Sequence, residues 1–524
     1  MKIALILDNN QIEKWQLESL YKCGDEIKID LILNCQNTKN KRSIFVNFLY
    51  YFFNFFLVRN RFRQKLNINK IDFFKNIKNI SFHSKYDGNW QIIQNKVIED
   101  INKRNIKNIV KFGMGLLKIN DNISNFNILS FHHGDPKHIR GKAPCFYEIL
   151  YNHDYQGIIV QKISNNIDGG KIYYKAKSKI YYNSYKKSLE NTYKVSTYIL
   201  KKAVHNLKND ICYDSEKGPF YNLPSNVVFF KFIIRLLSNY TKRILYLFFY
   251  YKKWEIGLSY IDKDIYNFNI NKLDIKFKNI LFFADPFFVD NNNILIEGFN
   301  FIQGVGQIFN FNINNKKLTK VSKIHKHIAY PSIFNFNDKK YVLPEISNYS
   351  SPQIYELCSS KELNKKKQIR GLSKYRLIDP THFYYNNYHY IFCNIKNKPI
   401  ENLYLFYSKN LNGEYKPHHQ NPICIDITKA RMGGNFFNYE KKQFRPSQYN
   451  IKEYGNGILI NEIKKLTPFE YEEKKTKLIK FDYCAGPHTI NFSDKQIVYD
   501  FYLDKFNFFS ILYRINSYIR TKYN

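Results

Sequence analysis

The chain has 524 residues, of which 44% are hydrophobic, so its length predicts two or three globular domains rather than one. Glycine and proline are scarce, at 21 and 15 residues, which excludes a fibrous or low-complexity protein. The net charge of +37 invites a nucleic-acid interpretation, but Lys, Asn, Ile, Tyr and Phe are over-used along the whole chain. We therefore expect a basic solvated surface and no specific nucleic-acid partner.

The eight cysteines are scattered and form no CxxC pair. This pattern is typical of reduced structural thiols, so we expect a cytoplasmic protein and no metal site.

Two strongly apolar segments raise the question of a membrane. The first residues run directly into Asp8 and do not form a signal peptide. Residues 48–58 are too short to span a bilayer, and residues 227–251 are interrupted by lysines and arginines. We expect both to be helices buried against a domain. Helices lying on a membrane surface, with weak membrane association, remain the alternative.

Residues 1–210 alternate between strand and helix patterns. The first apolar run, Lys2–Leu7, has the composition of a buried strand. Helical spacing follows at Gln11–Cys23, Trp90–Arg104 and Tyr193–Leu207, with strands between them. The alternation predicts a Rossmann-like α/β domain with a mostly parallel sheet, whose ligands lie at the carboxyl ends of the strands.

The second half of the chain has a different pattern. Residues 211–260 form a predicted helical linker, residues 261–510 contain five hairpin units, and residues 511–524 form a C-terminal tail. The units begin near Pro286, Pro331, Pro380, Gly433 and Pro487, about 50 residues apart. This repeat predicts an all-β five-bladed β-propeller; unrelated hairpins in a sandwich are the alternative.

One stretch of the first domain contains residues suited to acyl transfer. His132 and Asp168 lie in the segments SFHHGDPKHIRG and IDGGKI. Moving an acyl group to an amine develops negative charge on an oxygen and releases a proton. An imidazole next to a carboxylate can serve both needs near neutral pH.

This stretch resembles the folate-dependent formyltransferases that act on glycinamide ribonucleotide, methionyl-tRNA and nucleotide sugars. His132 and Asp168 match that family's catalytic His and Asp, and Ser130 is the third candidate catalytic residue. The resemblance implies 10-formyltetrahydrofolate as the cofactor, and it implies the following cofactor-binding residues: Phe112, Gly113, Met114, Gly115, Arg140 and Gly141.

The motif departs from the family at two positions. Ser130 stands where the family has Asn, and Gly134 where it usually has Ser. His133 and Asp135 are additional polar residues that could compensate. An active enzyme and a domain that retains only the fold therefore both stay open.

The hairpin units place a second set of polar residues at the starts of strands that a propeller would bring together. The region from about 255 to 505 resembles the N-terminal domain of glucosamine inositolphosphorylceramide transferases and, more distantly, five-bladed glycosidases. The glycosidase pattern is incomplete, because the fourth unit lacks the expected Glu. The predicted central funnel contains Asp285, Glu345, Asp379, Arg431, Arg445 and His488.

Together these patterns predict an enzyme that transfers a formyl group to the amine of an amino sugar or glycoconjugate, with the propeller holding carbohydrate. The alternative is a glycan-binding or glycan-processing protein whose formyltransferase domain is catalytically degenerate.

Overall fold

The structure is a computed structural model that describes residues 1–36, 45–261, 264–321, 327–346, 351–358 and 363–523. Asn524, in the predicted tail, lies outside the described residues. The chain divides into two compact units, Met1–Tyr240 and Thr241–Asn524.

The first unit alternates strands and helices, as predicted. Its strands are β1 (Lys2–Asp8), β2 (Gln11–Glu13), β3 (Lys28–Cys35), β4 (Lys65–Asn67), β5 (Lys78–Phe82), β6 (Lys85–Asp87), β7 (Trp90–Ile92), β8 (Asn108–Lys111), β9 (Leu116–Leu117), β10 (Asn127–His132), β11 (Arg140–Gly141), β12 (Gln156–Lys162), β13 (Lys171–Ser178) and β14 (Phe220–Tyr221). Its helices are α1 (Lys14–Cys23), α2 (Phe48–Phe53), α3 (Asn95–Asn102), α4 (Phe146–Leu150), α5 (Tyr185–Lys208) and α6 (Asn226–Phe249), which ends in the second unit.

The main sheet of this unit is parallel at its centre. Strands β5, β3, β1, β8 and β10 lie side by side and parallel, and β12 and β13 extend the sheet antiparallel beyond β10. In β1, Ile3, Leu5 and Leu7 enter one core cluster while Ala4 and Ile6 enter the other. A strand buried on both faces needs helices on both sides, so the α/β arrangement predicted from the alternation is confirmed.

Helix boundaries differ from the prediction at all three predicted helices. Gln11–Glu13 forms β2 ahead of α1, and α5 begins at Tyr185 rather than at Tyr193. Trp90–Arg104 is not one helix, because Trp90–Ile92 forms β7 and the helix is limited to Asn95–Asn102. The buried Gln91 side chain donates to Ser84 Oγ at 2.8 Å and accepts from Gly115 N at 2.6 Å. These two hydrogen bonds hold residue 91 in a strand although the surrounding apolar spacing suits a helix.

The second unit is built from antiparallel strands, with one helix described, α7 (Ser510–Tyr523), in the predicted tail. The strands are β15 (Tyr250–Tyr260), β16 (Ile280–Asp290), β17 (Asn293–Asn300), β18 (Val305–Asn312), β19 (Leu318–Lys320), β20 (Ala329–Phe336), β21 (Lys339–Glu345), β22 (Gln353–Leu357), β23 (Leu363–Gln368), β24 (Leu377–Tyr385), β25 (Tyr388–Ile395), β26 (Asn402–Ser408), β27 (Lys416–Pro417), β28 (Cys424–Ile425), β29 (Arg431–Met432), β30 (Phe437–Tyr439), β31 (Lys442–Gln448), β32 (Ile458–Leu466), β33 (Tyr471–Ile479), β34 (Ile490–Phe492) and β35 (Gln496–Phe506).

These strands form five successive sheets that match the five predicted hairpin units: β16–β19, β20–β23, β24–β28, β29–β33, and β34 with β35 and β15. The last sheet joins distant parts of the chain, because β15 pairs along its whole length with β35. Residues 250–260, assigned to a helical linker from sequence, are therefore a strand of the final sheet.

Side chains of successive sheets are hydrogen-bonded near the starts of their first strands. Tyr330 Oη lies 3.1 Å from Thr381 Oγ1 and accepts from Gly434 N at 2.8 Å. Thr489 Oγ1 donates to Asp285 Oδ1 at 2.6 Å, which links the last sheet to the first. The strand starts singled out in the repeat are thus brought together.

The two apolar segments are helical, but the expectation that they are buried is wrong. Within α2 and the π-helical turn Asn54–Val58 that continues it, only Val58 is buried. In α6 only Phe229 and Phe232 are buried. Among the described residues, no helix is long and apolar enough to cross a membrane.

Candidate active site

The site predicted in the first unit lies at the carboxyl ends of β8 and β10. Lys111 is the last residue of β8 and His132 the last of β10. Ser130 pairs in register with Lys111 on one side and with Gln161 of β12 on the other. The three side chains and His132 contribute to the wall of a cavity of about 240 Å³, whose other lining residues are Trp90, Gly115, Leu116, Leu117, Phe131, Gly141, Ile163, Ser164, Asn166, Ile167 and Asp168.

The His132 ring is held between two acceptor oxygens. Its Nδ1 lies 3.3 Å from Asp168 Oδ1, and its Nε2 is hydrogen-bonded to the carbonyl oxygen of Ile139 at 3.2 Å. A carbonyl oxygen and a carboxylate oxygen can only accept, so the ring satisfies both contacts when both nitrogens donate. The two contacts fix the orientation of the ring in the cavity wall.

The loop around Asp168 orients its carboxylate toward His132. The Asp168 backbone is left-handed, with φ 53°, which is uncommon for a residue with a side chain. Its Oδ2 accepts from Gly141 N at 2.9 Å, and Ser215 Oγ donates to its carbonyl at 3.1 Å. Arg140 Nη1 donates to the carbonyl of Ile167 at 3.4 Å. Arg140 and Gly141, predicted to bind a cofactor, therefore position Asp168.

Lys111 precedes the predicted cofactor-binding residues in the segment that the resemblance places at the folate pocket, but the sequence assigned no role to its side chain. Its ammonium lies in the cavity wall and donates to the carbonyl of Gly115 at 2.8 Å. Burial lowers the pKa of the ammonium to about 8, although the carboxylates of Asp8 and Asp168 act in the opposite direction. The signal in the sequence was a lysine ending an otherwise apolar strand, two residues before Gly113.

The other predicted cofactor-binding residues separate into two groups. Gly115 lines the cavity, as does Gly141. Phe112 instead packs edge-on to Trp15 at 5.8 Å, and Met114 is buried in the core with its N–H bonded to Asp8 Oδ1 at 2.8 Å. At Gly113 a Cβ would lie 2.4 Å from the backbone of Leu7, so this glycine allows β8 to approach β1. These three residues pack at the carboxyl end of β8 and are absent from the cavity lining.

The structure explains why Gly134 replaces the family's usual Ser. A Cβ at residue 134 would lie 2.4 Å from His132 Nε2 and 2.6 Å from the carbonyl oxygen of Ile139. Any side chain would displace the hydrogen bond that orients His132.

His133 and Asp135 do not compensate for the missing Asn, because both are engaged elsewhere. His133 Nε2 lies 3.0 Å from Ser196 Oγ, and burial lowers the pKa of the ring to about 3, so it is neutral. Asp135 lies 2.6 Å from Lys175 Nζ and accepts from Tyr155 Oη at 2.8 Å. Asp135 lines a second cavity of about 230 Å³, to which none of the predicted site residues contributes.

In the second unit, Asp285, His488 and Asp500 form a buried Asp–His–Asp chain. His488 Nε2 lies 3.2 Å from Asp285 Oδ1, and its Nδ1 lies 2.6 Å from Asp500 Oδ2. Asp500 also accepts from the backbone N–H groups of Asp285, His488 and Thr489 at 2.9–3.0 Å. The two carboxylates raise the pKa of His488 against the effect of burial, so the ring is stabilised as a cation.

A second group surrounds Asp379. Its carboxylate forms a bidentate ion pair with Arg431 and accepts from Gln448 Nε2 at 2.9 Å. Glu345 Oε2 accepts from the backbone N–H of Asp379 at 3.1 Å. The Arg431 guanidinium lies over the Tyr454 ring, 4.9 Å from its centroid. Four of the six predicted funnel residues thus lie in these two groups through direct contacts, and Glu345 joins the second through the backbone of Asp379.

Arg445 is the exception among the predicted funnel residues. It is fully buried and pairs with Glu473, with Nε donating to Oε2 at 2.9 Å and Nη2 to Oε1 at 3.0 Å. It also donates to the carbonyl of Lys429 at 2.8 Å. These two partners place it in the packing of the fourth sheet rather than against Asp285 or Asp379.

Burial makes several carboxyl groups of this unit unusually basic. Burial and the neighbouring charges of Asp500 and Asp379 raise the pKa of Asp285 to about 6, despite the opposing charge of His488. Burial and Asp379 raise the pKa of Glu345 to about 8. Glu297, missed from the sequence, has its pKa raised by burial and by Asp285. Glu297 lies there because it pairs with Ala284, the residue before Asp285, across two neighbouring strands.

Comparison with known sequences concerns the second unit. Residues 276–491 match the family model described as glucosamine inositolphosphorylceramide transferase 1, N-terminal. Glucosamine inositolphosphorylceramide transferase 1 of Arabidopsis thaliana is 28% identical over 156 residues, which are 28% of this chain and 20% of that protein. The match thus spans about a fifth of the curated relative, and the predicted resemblance of this region to the N-terminal domain of glucosamine inositolphosphorylceramide transferases is confirmed.

Solved structures similar to the chain include a sugar N-formyltransferase from Shewanella sp, at 13% identity and TM-score 0.28, covering 45% of this chain and 88% of that one. An exo-1,5-alpha-L-arabinanase from a bovine ruminal metagenomic library is 11% identical with TM-score 0.33, covering 43% of this chain and 93% of that one.

Proposed function

We propose that the first unit is an N-formyltransferase that uses 10-formyltetrahydrofolate and transfers the formyl group to the amine of a sugar. The observation that carries the proposal is the His132 ring, oriented by Asp168 and by the carbonyl of Ile139 in the wall of the cavity. The cavity lies at the carboxyl ends of parallel strands, where ligands of α/β sheets bind.

The residues of the site suit the charges that such a reaction develops. In such a reaction the acceptor amine would form a bond to the formyl carbon and the bond from that carbon to the cofactor nitrogen would break. The proton lost by the amine would finally reach that cofactor nitrogen, so that tetrahydrofolate leaves as a neutral amine. A ring N–H of His132 can donate to the formyl oxygen as negative charge accumulates there. Asp168, whose oxygens face His132 and Gly141 N, can accept the proton of the amine through His132 or a water molecule.

The walls of the cavity fit the proposed cofactor. Trp90, Leu116, Leu117 and Phe131 offer apolar surface for a flat ring, and Gln161 offers an amide. The cofactor, when bound, supplies the formyl group and leaves as tetrahydrofolate. A volume of about 240 Å³ is near the lower end for small-molecule sites, so we expect the ring end of the cofactor to lie inside and its tail outside.

We further propose that Lys111 replaces the family's Asn. The Ser130 hydroxyl is shorter than the amide of the Asn that it replaces, and Lys111, its register neighbour, lines the same cavity. An ammonium donates up to three hydrogen bonds, and the one to Gly115 O accounts for one of them. A charged donor also stabilises an oxyanion more strongly than an amide does.

The acceptor is proposed to be a sugar amine because of the second unit. That unit is similar to the N-terminal region of a transferase named for glucosamine. We propose that its five sheets form a five-bladed propeller, supported by the hydrogen bonds between successive first strands and by the pairing of β15 with β35.

Two measurements test the proposal. Calorimetry with the analogue 5-formyltetrahydrofolate measures binding, and a turnover assay with 10-formyltetrahydrofolate and amino sugars measures the release of tetrahydrofolate. We expect binding by the wild-type chain and by His132→Ala, and turnover by the wild type alone. His138→Ala is the matched control, because His138 lines the other cavity. Failure of the wild type to bind the folate would overturn the proposal.

The second candidate function is glycan binding by a protein whose first unit is inactive. It is favoured by Arg431, Glu345 and Tyr454, which are only partly buried and border the Asp379 group. Titration with a methyl glucosaminide then gives affinity that is lost in Arg431→Gln and kept in Arg370→Gln, an exposed arginine bonded to the carbonyl of Asn412. Equal affinity in both variants would exclude this site.

A further inference from the structure

The first unit exposes an aromatic surface that neither proposed function uses. It is formed by two segments, residues 45–58 and the part of α6 from 226 to 240, and we refer to it as the aromatic face. Its exposed apolar side chains are Phe45, Val46, Phe48, Leu49, Tyr51, Phe52, Phe55, Phe56, Leu57, Val227, Phe230, Ile234, Leu237 and Tyr240. Phe45 is 87% exposed, Phe55 68% and Phe230 63%. Single exposed apolar residues are ordinary, but a contiguous group of this size marks an interaction site.

The two segments form one surface because hydrogen bonds and rings connect them. Asn226 Nδ2 donates to the carbonyl of Phe45 at 2.8 Å, and Asn226 Oδ1 accepts from Leu49 N at 3.1 Å. Asn47 Nδ2 donates to the carbonyl of Pro224 at 2.8 Å. The inward ring of Phe53 packs on Phe229, with centroids 5.4 Å apart. One side of each segment is therefore anchored, and the opposite side is left to solvent.

The charged side chains within these two segments and next to them in the sequence have one sign, although Arg63 pairs with Glu13 from outside them. Residues 45–71 contain arginines 59, 61 and 63 and two lysines, and no Asp or Glu. Residues 217–254 are also free of Asp and Glu and carry Lys231 and Arg235 beside the exposed rings. A second copy of this chain would bring like charges together at the same face, so charge complementarity selects an anionic partner.

We propose that the aromatic face binds the surface of an anionic lipid bilayer. Aromatic side chains are favoured where hydrocarbon meets headgroups, and neighbouring lysines and arginines attract anionic lipids. The segments are short or interrupted by charge, so they lie in the interface rather than span the bilayer. This surface is separate from the cavity of His132, to which none of the face's residues contributes.

Flotation with vesicles tests the proposal. We expect the intact chain to float with phosphatidylcholine vesicles that contain about one third phosphatidylglycerol, and to bind pure phosphatidylcholine at least tenfold more weakly. The double variant Phe55→Ser/Phe56→Ser is expected to lower the partition coefficient at least tenfold. Its matched control is Phe469→Ser/Tyr483→Ser, which removes rings that are 65% and 95% exposed in the second unit.

Two further measurements separate insertion from simple charge attraction. Phe56→Trp is expected to shift its fluorescence to the blue with anionic vesicles and to be quenched by brominated acyl chains. Lys231→Gln/Arg61→Gln is expected to weaken binding several-fold, with the loss growing smaller at high salt. Circular dichroism and thermal unfolding check that all variants are folded, which the exposure of these side chains favours.

Three results would overturn the proposal. The wild type fails to float with anionic vesicles, or the Phe55/Phe56 variant floats as well as the wild type does. Alternatively, sedimentation velocity shows a dimer that the same variant dissociates, which would assign the face to a second copy. Folate binding is measured independently, so none of these results depends on the proposed transferase activity.

Discussion

Both units contain a histidine beside an aspartate, and the two pairs differ in the number of hydrogen-bonding partners around them. His132 has one carboxylate and one carbonyl oxygen and forms part of a cavity wall. His488 lies between two buried carboxylates, one of which already accepts from three backbone N–H groups. The first pair can exchange a partner for a substrate, whereas the second is committed to holding strands together. We therefore expect the same two residue types to serve reactivity in the first unit and architecture in the second.

The largest effect that tests this contrast is on stability. Asp500→Asn leaves His488 with one carboxylate and places an amide against three N–H donors, so we expect a loss of about 3–5 kcal/mol in the unfolding free energy of the second unit. Asp168→Asn, at a half-buried site, is expected to cost less than about 1 kcal/mol. Urea unfolding is followed by tryptophan fluorescence. Trp254, whose ring lies 4.3 Å from His488, reports on the second unit, and Trp15 and Trp90 report on the first. Equal losses in the two variants would contradict the contrast.

The second effect is on turnover in the first unit. Lys111→Met removes the proposed donor to the formyl oxygen, so we expect turnover to fall about 10²–10³-fold, as for the loss of one oxyanion donor. Folate affinity should change only a few-fold. Lys118→Met is the control, because Lys118 is exposed and pairs with Asp87. Wild-type turnover in the Lys111 variant would indicate that Ser130, and not Lys111, donates to the formyl oxygen.

A third variant asks how tightly the His132 site is packed. Gly134→Ser restores the family's residue, but its Cβ would meet His132 Nε2, so we expect a loss of about 1–3 kcal/mol in unfolding free energy together with turnover. Gly115→Ala is the comparison, since its Cβ would meet Gln91 Oε1 at an ordinary 3.6 Å. Thermal unfolding of both variants measures the difference, and a stable, active Gly134→Ser chain would show that the ring has room to move.

The smallest expected effect is a pH dependence. Lys111 has a pKa of about 8, so it is charged below that value and loses its proton as pH rises through it. Its contribution to turnover should therefore fall about tenfold between pH 7 and 9. The acceptor amine also becomes more reactive over the same range, because it loses its own proton. The pH profile of wild-type turnover is therefore divided by the pH profile of Lys111→Met. A ratio that is flat with pH would exclude a charged Lys111 from the reaction.

Much of the fold and part of the candidate active site could be predicted from the sequence. The alternation in β1 and the hairpin repeat are local patterns, so the parallel sheet and the five antiparallel sheets were within reach. His132 and Asp168 were found because the motif places each in its own segment. The role of Lys111 and the positions of Glu297 and Asp500 were not, since they depend on which strand lies next to which. Periodicity also gave the helices at 48–53 and 226–249 but not their exposure, because burial depends on what else packs there.

The pairing of β15 with β35 has a consequence for synthesis on the ribosome. Strand β15 is made first among the strands of the second unit, yet its partner is the last strand of that unit to emerge. At about 5–20 residues per second, the interval is on the order of tens of seconds. Throughout that time an eleven-residue strand with a buried apolar face waits without its partner. A nascent chain stalled before residue 496 is therefore expected to be a client of chaperones, and release of the final strand is the event that ends its exposure.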